Sequence, residues 1–330
     1  MSLVDSFGRV HRDLRISLTD RCSLRCTYCM PAEGIAWIPK PSLLNPEEIE
    51  RIVRVSADEG VTTVRLTGGE PLISPNLIEV VGRISAIEGP EGPLEVAMTT
   101  NGIRLPEFIP GLEEAGLARL NISIDTLDPL RFQQLTRRDR LIDVLAGIEA
   151  ARRSSLKPLK LNAVVMRGVN EDEVVDLVEF AIEHDAQMRF IEHMPLDLGH
   201  TWDRAEMVPR EEILASLKRR FVLKPLTARG GAPAELFSID GGPETVGVIA
   251  SVTAPFCGGC DRLRLTADGQ VRNCLFAREE LDLLAALRGG ASDEAIRDIL
   301  RAAVANKRSG HGIDSPGFVQ PDRGMNAIGG

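Results

Sequence analysis

Apolar and polar residues alternate over short runs at six places along the chain, and each run leads into a stretch with helical spacing. Alternation has the two-residue period of a strand with one buried face, and a strand followed by a helix, repeated, is the pattern of βα units. The strands predicted this way cover residues 14–19, 63–67, 95–99, 120–125, 159–164 and 188–193. Helices are predicted between them. The segment after Asn45-Pro46 opens with an N-cap residue, a first-turn proline and two acids, and residues 171–183 behave likewise. Six such units predict an α/β fold, an incomplete (β/α)6 barrel of the TIM type rather than a closed eight-strand one.

Parallel strands flanked by helices are usually apolar on both faces, and these are not. In the first, Leu14, Ile16 and Leu18 oppose Arg15, Ser17 and Thr19; in the second, Val64 and Leu66 oppose Thr63, Arg65 and Thr67. Leu120, Ile122 and Ile124 oppose Asn121, Ser123 and Asp125, and Leu159 and Leu161 oppose Lys160 and Asn162. With the apolar faces against outer helices, the polar faces line the lumen. Leaving that many hydrogen-bonding groups unpaired costs roughly 1–3 kcal/mol each, so the lumen is expected to hold water or a ligand. A one-sided antiparallel sheet would also alternate, but the intervening helices weigh against it.

After Pro195 the rhythm changes to a polar stretch, a helix over 210–220, glycine- and proline-rich short strands, helices over 277–288 and 293–306, and a glycine-rich tail. This places a domain boundary near residue 200: a barrel over 1–200 and a smaller C-terminal α+β domain over 201–330. Composition adds exclusions. With 43% hydrophobic and 26% charged residues and no long apolar run, a membrane role is not expected. The first fifteen residues lack a basic segment followed by an apolar stretch, so a cytoplasmic location is expected. A net charge of −9 argues against general nucleic-acid binding, since phosphate-backbone affinity needs accumulated Lys and Arg.

The six cysteines form two trios, Cys22, Cys26 and Cys29, then Cys257, Cys260 and Cys274. Clustered cysteines in a reducing compartment read as metal or cluster ligands rather than disulfides. The first trio is C-x3-C-x2-C directly after the first strand, with Tyr28 before the last cysteine and no fourth Cys or His nearby. Three thiolates suit a four-iron cluster with one open iron, whereas electron-transfer clusters and structural zinc take four ligands. Zinc with a distant fourth ligand is the alternative. The second trio, C-x2-C-x13-C, again lacks a fourth ligand and brackets Arg262 and Arg264, which alternation puts on one face. Arg15, Arg65, Lys160 and Arg189 share the polar face. Enclosed cations repel and lose hydration, so a shared anion such as a triphosphate is the expected explanation. No Walker-type loop occurs.

The first trio with its aromatic, and Thr67-Gly68-Gly69-Glu70-Pro71 after the second strand, resemble the motifs of the radical S-adenosylmethionine (SAM) superfamily. That resemblance implies an open iron chelating SAM, its reductive cleavage to a 5'-deoxyadenosyl radical, and SAM contacts at Tyr28, Gly69, Glu70, Ser123 and Met194. Phe7-Gly8-Arg9, Leu14-Arg15-Ile16-Ser17, Thr99-Thr100-Asn101-Gly102, the second trio and the terminal Gly329-Gly330 extend the likeness over nearly the whole chain. Together they resemble the GTP 3',8-cyclase family of molybdenum cofactor biosynthesis. This further resemblance implies two [4Fe–4S] clusters and GTP contacts at Arg15, Arg65, Thr99, Lys160, Arg262 and Arg264. It gives Arg262, Arg264, Gly329 and Gly330 catalytic parts, with hydrogen abstraction from C3' of the ribose and attack on guanine C8. The product would be (8S)-3',8-cyclo-7,8-dihydroguanosine 5'-triphosphate, passed to a cyclic pyranopterin monophosphate synthase. Two departures stand out: Ser23 replaces a common asparagine, and Thr63 stands where a basic residue is frequent. Another two-cluster radical SAM enzyme and a zinc-stabilised binding module are the competing readings. The electron donor and the oligomeric state, a homodimer included, are open.

Overall fold

A computed structural model describes residues 2–226 and 230–329. The six predicted βα strands are present as β1 (Asp13–Ser17), β2 (Thr63–Thr67), β3 (Glu95–Thr100), β4 (Arg119–Ser123), β5 (Leu159–Val165) and β6 (Ala186–Glu192). They pair in parallel and in sequence order. The connections carry α1 (Pro46–Asp58), α2 (Leu77–Ser85), α3 (Leu105–Glu114), α4 (Pro129–Thr136), α5 (Leu141–Arg153) and α6 (Val174–Glu183). Local chemistry starts these helices. Asn45 accepts from Glu48 N at 2.8 Å and donates to Glu48 Oε2 at 2.9 Å, a reciprocal box that sets the N-terminus of α1. Asp128 accepts from Arg131 N at 2.7 Å and starts α4.

The C-terminal part continues the same sheet. After α7 (Arg210–Lys218) come β7 (Leu223–Pro225), β8 (Glu235–Ile239), β9 (Thr245–Ile249), β10 (Arg262–Leu265), β11 (Gln270–Arg272) and β12 (Leu281–Asp282). β9 pairs in parallel with β6, and β10 in parallel with β1, so the chain leaves the sheet at one edge and rejoins it at the other. The full order is β12-β11-β10-β1-β2-β3-β4-β5-β6-β9-β8-β7. Helices α8 (Leu283–Arg288) and α9 (Asp293–Ala305) pack outside, and a last short helix, α10 (Met325–Ile328), leads to the terminus.

The helix expected over 277–288 is half that length. Residues 277–280 are irregular because the buried Arg272 guanidinium donates to the Ala277 carbonyl and to Glu280, and α8 begins only where Asp282 caps it, accepting from Ala285 N at 2.9 Å. One continuous core lies between strands and helices: Leu14, Ile16, Val64, Leu66, Leu120, Ile122 and Leu161 are all at most 1% exposed. These are the apolar faces that alternation assigned to the helix side. Among the described residues no helix is long and apolar enough to cross a membrane.

Candidate functional site

In-register parallel pairing carries a side chain on one strand into line with its neighbour on the next. Arg264, Arg15 and Arg65 pair in this way across β10, β1 and β2, as do Arg262 and Asp13. Across the other half of the sheet Thr99 pairs with Asn121, Asn121 with Lys160, Ser123 with Asn162 and Asn162 with Arg189. Cations far apart in sequence thus become lateral neighbours on the polar face. Arg65, Lys160, Arg262 and Arg264 are all buried.

The electrostatic cost is visible in the direction of each pKa. Burial first, then Arg15, pushes Arg65 down to about 9, and burial with Arg15 and Arg262 does the same to Arg264. Lys160 falls to about 7 through burial and the charges of Arg189, Arg119 and Arg65, and Arg189 falls to about 10 through burial and Arg119. Asp13, which the sequence reading passed over, is the carboxylate inside this group, 3.8 Å from Arg15 and 3.7 Å from Arg262. Burial pushes it up, but Arg15, Arg65, Arg262 and Arg264 together bring it below its ordinary value. Arg15 Nε, Arg65 Nε and Nη1, and Arg262 Nε are buried with no hydrogen-bond partner among the described residues. Buried cations that outnumber their one carboxylate and keep unused donors fit a multiply charged anion. Thr63 lies between Asp13 and Glu95 in the register, and the cations named above surround the face without it.

The first cysteine trio leaves the C-terminal end of β1, and the turn from Cys26 to Cys29 is closed by a 3.0 Å backbone bond. All three are free and half-buried. Leu24 N and Asn101 Nδ2 lie 3.4 and 3.9 Å from Cys22 Sγ, and the Asn326 backbone N–H donates to the Cys29 sulfur. Ser23, the departure noted above, accepts from Asn101 Nδ2 at 3.0 Å, tying the cysteine loop to the end of β3. Burial pushes the thiols up, Cys22 to about 11 with help from Glu70, Cys29 to about 12 with help from Cys22, and Cys26 well above the ordinary thiol value with help from Asp125. Such thiols give up protons once a metal centre replaces that charge.

The loop after β2 presses on the cysteine loop. Gly69 N donates to Thr19 O and Glu70 N to Arg21 O, both at 2.7 Å, and a Cβ on Gly69 would lie 2.1 Å from the Arg21 carbonyl oxygen. Only glycine permits that approach. Glu70 was expected to meet the cofactor. Its carboxylate is buried and accepts from Leu72 N, Thr100 Oγ1 and Asn101 N at 2.7–2.9 Å, so it ties the ends of β2 and β3 together. Tyr28 donates its hydroxyl to Asp125 at 2.7 Å. Ser123 is half-buried at the end of β4, Thr99 is half-buried near the end of β3, and Met194 packs against Leu196, Phe276 and Ile328 beyond β6.

Cys257 and Cys260 precede β10, and Cys274 follows β11, which returns antiparallel to β10. The second trio therefore lies at the strand end opposite to the first, with about 13 Å of β1 between those levels at ~3.3 Å per residue. His311 N donates to the Cys257 sulfur and Phe276 N to that of Cys274. Cys260 differs from the other five: burial raises its pKa, but Lys307 and Arg262 outweigh this and hold it below the usual thiol value. A cavity of about 410 Å³ borders all three cysteines and is lined by Arg9, Lys307 and His311 among others. A second, of about 70 Å³, joins the trio to Met194, Arg262 and Arg264. Among the described residues no three His, Cys, Asp or Glu side chains converge closely enough for a single metal ion.

The tail turns inward. Asn326 Nδ2 donates to Asp20 O at 3.0 Å, Ile328 is fully buried, and the Gly329 carbonyl accepts from Arg264 Nη1. Gly330, expected to act beside Gly329, lies outside the described residues. Alternation put Asp125 on the polar face but gave no sign of its pairing with Tyr28, and Asp13 and Lys307 were not singled out, because their neighbours come from distant parts of the chain.

A parallel βα sheet with C-x3-C-x2-C at the C-terminal end of its first strand and a glycine pair at the end of its second defines a radical SAM protein. Residues 16–181 match the family model described as Radical SAM superfamily, and residues 186–313 that described as Molybdenum Cofactor Synthesis C. A Streptomyces coelicolor GTP 3',8-cyclase is 55% identical over 99% of this chain and 96% of its own. A Mycobacterium tuberculosis GTP 3',8-cyclase 2 is 51% identical over 99% and 92%. The crystal structure of Streptococcus suis SuiB superposes with a TM-score of 0.59 at 15% identity, covering 85% of this chain and 66% of that one, which is a likeness of fold. The chain belongs to the GTP 3',8-cyclase family.

Proposed function

We propose that this chain is a radical SAM GTP 3',8-cyclase that converts GTP to (8S)-3',8-cyclo-7,8-dihydroguanosine 5'-triphosphate at the start of molybdenum cofactor biosynthesis. The observation that carries the reading is the register-aligned row Arg264, Arg15 and Arg65, with Lys160 and Arg189 close enough to add their charge, between two cysteine trios at opposite strand ends. A [4Fe–4S] cluster held by Cys22, Cys26 and Cys29, with SAM, supplies the hydrogen-abstracting radical when bound.

The protein's own residues bind, orient and exclude water. The cations take the triphosphate, with Arg262 and Arg264 nearest the second trio. Cys257, Cys260 and Cys274 hold a second cluster against which the guanine is set. Tyr28, Gly69, Ser123 and Met194 border the SAM end, and Thr99 the middle of the sheet. Gly329 covers the reacting ribose. In this reading β1 to β6 form an incomplete (β/α)6 barrel within 1–200. Residues 201–330, the smaller domain with the second cluster, fill its open side. The enzyme works in the cytoplasm, as a monomer or a homodimer, receives electrons from an external donor, and passes its product to a cyclic pyranopterin monophosphate synthase.

The test is anaerobic reconstitution with iron and sulfide, then reduction with SAM and GTP present. Product of the cyclised mass should form together with 5'-deoxyadenosine. Replacing Cys257, Cys260 and Cys274 by alanine should abolish the product and lower the iron content, leaving SAM cleavage at the first trio. Zinc without iron and sulfide in protein purified without oxygen would overturn the reading.

A further inference from the structure

One buried cation near the second trio has no place in the account so far. Lys307 follows α9 and is 5% exposed. Its Nζ lies 3.5 Å from Cys260 Sγ and donates to the Arg262 carbonyl at 2.8 Å. Burying an ammonium costs several kcal/mol unless an opposite charge accompanies it. Among the described residues no carboxylate forms an ion pair with Lys307; the sulfur of Cys260 is the acidic group in hydrogen-bond reach of its ammonium, with Cys274 and Asp261 acting on it from further away. Arg262 Nη1, 3.8 Å from the same sulfur, is a second donor, but its guanidinium is shared with the Gly231 carbonyl at 2.6 Å.

The surroundings fix this ammonium in place. Lys307 N donates to Val304 O at 3.0 Å and closes the end of α9. Arg9, held by Asp5, donates to the Cys257 carbonyl at 2.6 Å and to the Arg308 carbonyl at 2.7 Å. A residue from the N-terminal segment thereby clamps the cysteine loop to the residue after Lys307. The two trios also differ in the charges that face them. Glu70, Asp125 and Asp197 act on Cys22, Cys26 and Cys29 respectively, with Arg25 opposing Glu70 at Cys22, whereas Lys307, Arg262 and Arg264 act on Cys260, and Lys307 also acts on Cys257 and Cys274.

We propose that Lys307 is a positioning residue of the second trio: its ammonium is the counter-charge that secures Cys260 as a cluster ligand and raises the reduction potential of the cluster held there. The inference rests on the reading that the second trio binds a cluster. One-electron reduction adds a negative charge to a cluster, and a fixed cation hydrogen-bonded to a ligand sulfur favours the reduced state.

The experiment is an EPR-monitored redox titration of the reconstituted full-length protein, with dithionite as electron source. Iron and sulfide analysis of a full-length variant with Cys22, Cys26 and Cys29 replaced by alanine comes first. Absence of iron there sinks the second-cluster reading itself, whatever Lys307 does. With a cluster present, Lys307→Gln should lower its midpoint by about 59 mV, a tenfold change in a one-electron equilibrium. Lys307→Arg, which keeps the charge, should stay near the wild-type value. An unchanged midpoint in Lys307→Gln, or an equal drop in both variants, overturns the proposal. If Lys307→Gln cannot hold the second cluster, Lys307→Arg decides: retention supports the counter-charge, and loss refutes it. The first cluster's EPR signal with SAM reports that each variant is folded.

Discussion

Replacing Gly329 by alanine places a single methyl group where the tail enters the sheet. The residue has φ +79° and ψ 116°, outside the backbone regions open to residues with a side chain. Adopting such a conformation costs about 1–3 kcal/mol. The new Cβ would also fall 2.2 Å from Thr67 Oγ1 and 2.7 Å from Ser17 Oγ. Neither strand can retreat, because both side chains are buried within the sheet. The tail must move, and with it the carbonyl that accepts from Arg264. The backbone cost alone lowers the ratio of docked to undocked tail by about 5- to 150-fold at 1.4 kcal/mol per factor of ten. The assay is the initial rate of cyclised product at saturating GTP, with iron content and GTP-independent SAM cleavage measured on the same samples. Product should fall within that range while iron and basal cleavage hold. Thr67→Ala in the same chain removes the closer clash but not the backbone cost, so it should restore only part of the rate. A Gly329→Ala enzyme within about twofold of wild type would show that the tail's docking does not matter to turnover.

Two further outcomes follow from the buried charges. Lys160 titrates near 7 in the free protein, pushed down from 10.5 by burial and by Arg189, Arg119 and Arg65. The unfolded chain therefore binds more protons between those values, so this group makes the free protein more stable as pH rises through that window. A bound triphosphate favours the charged lysine, so GTP binding near pH ~8 should take up protons in calorimetry across buffers. Lys160→Met should reduce that uptake, and binding with no uptake in the wild type would contradict the cation cluster. Asp125 accepts from Tyr28 Oη at 2.7 Å and Val164 N at 2.9 Å. Asp125→Ala strands both donors and should destabilise by about 1–3 kcal/mol in urea unfolding. Asp125→Asn, which can pair with both, should lose clearly less, and equal losses would refute this.

Much of the site's chemistry is local and was legible in the chain. Alternation has a fixed period of two because successive side chains on a strand leave opposite faces, so Arg15 could be assigned to the polar face of β1 and Ile16 to the core without knowing what either touches. Both cysteine trios and the glycine pair at 68–69 are likewise set by short spacings within single loops. The short α8 shows the limit of that reading: residues 277–280 have helical spacing, but a buried arginine eight or fewer positions upstream claims their polar groups.

Lateral neighbours are a different matter. Whether Arg15 stands beside Arg65 or Arg264 depends on strand order and register, which come from the crossover helices and from the return of β10 to the far edge of the sheet. The same return sets Lys307 against Cys260 and brings Gly329 to Arg264. Sequence determined which groups each strand offers to the lumen; the tertiary fold decided which of them meet, because electrostatic and hydrogen-bond energies depend on separation in space, to which separation along the chain is no guide.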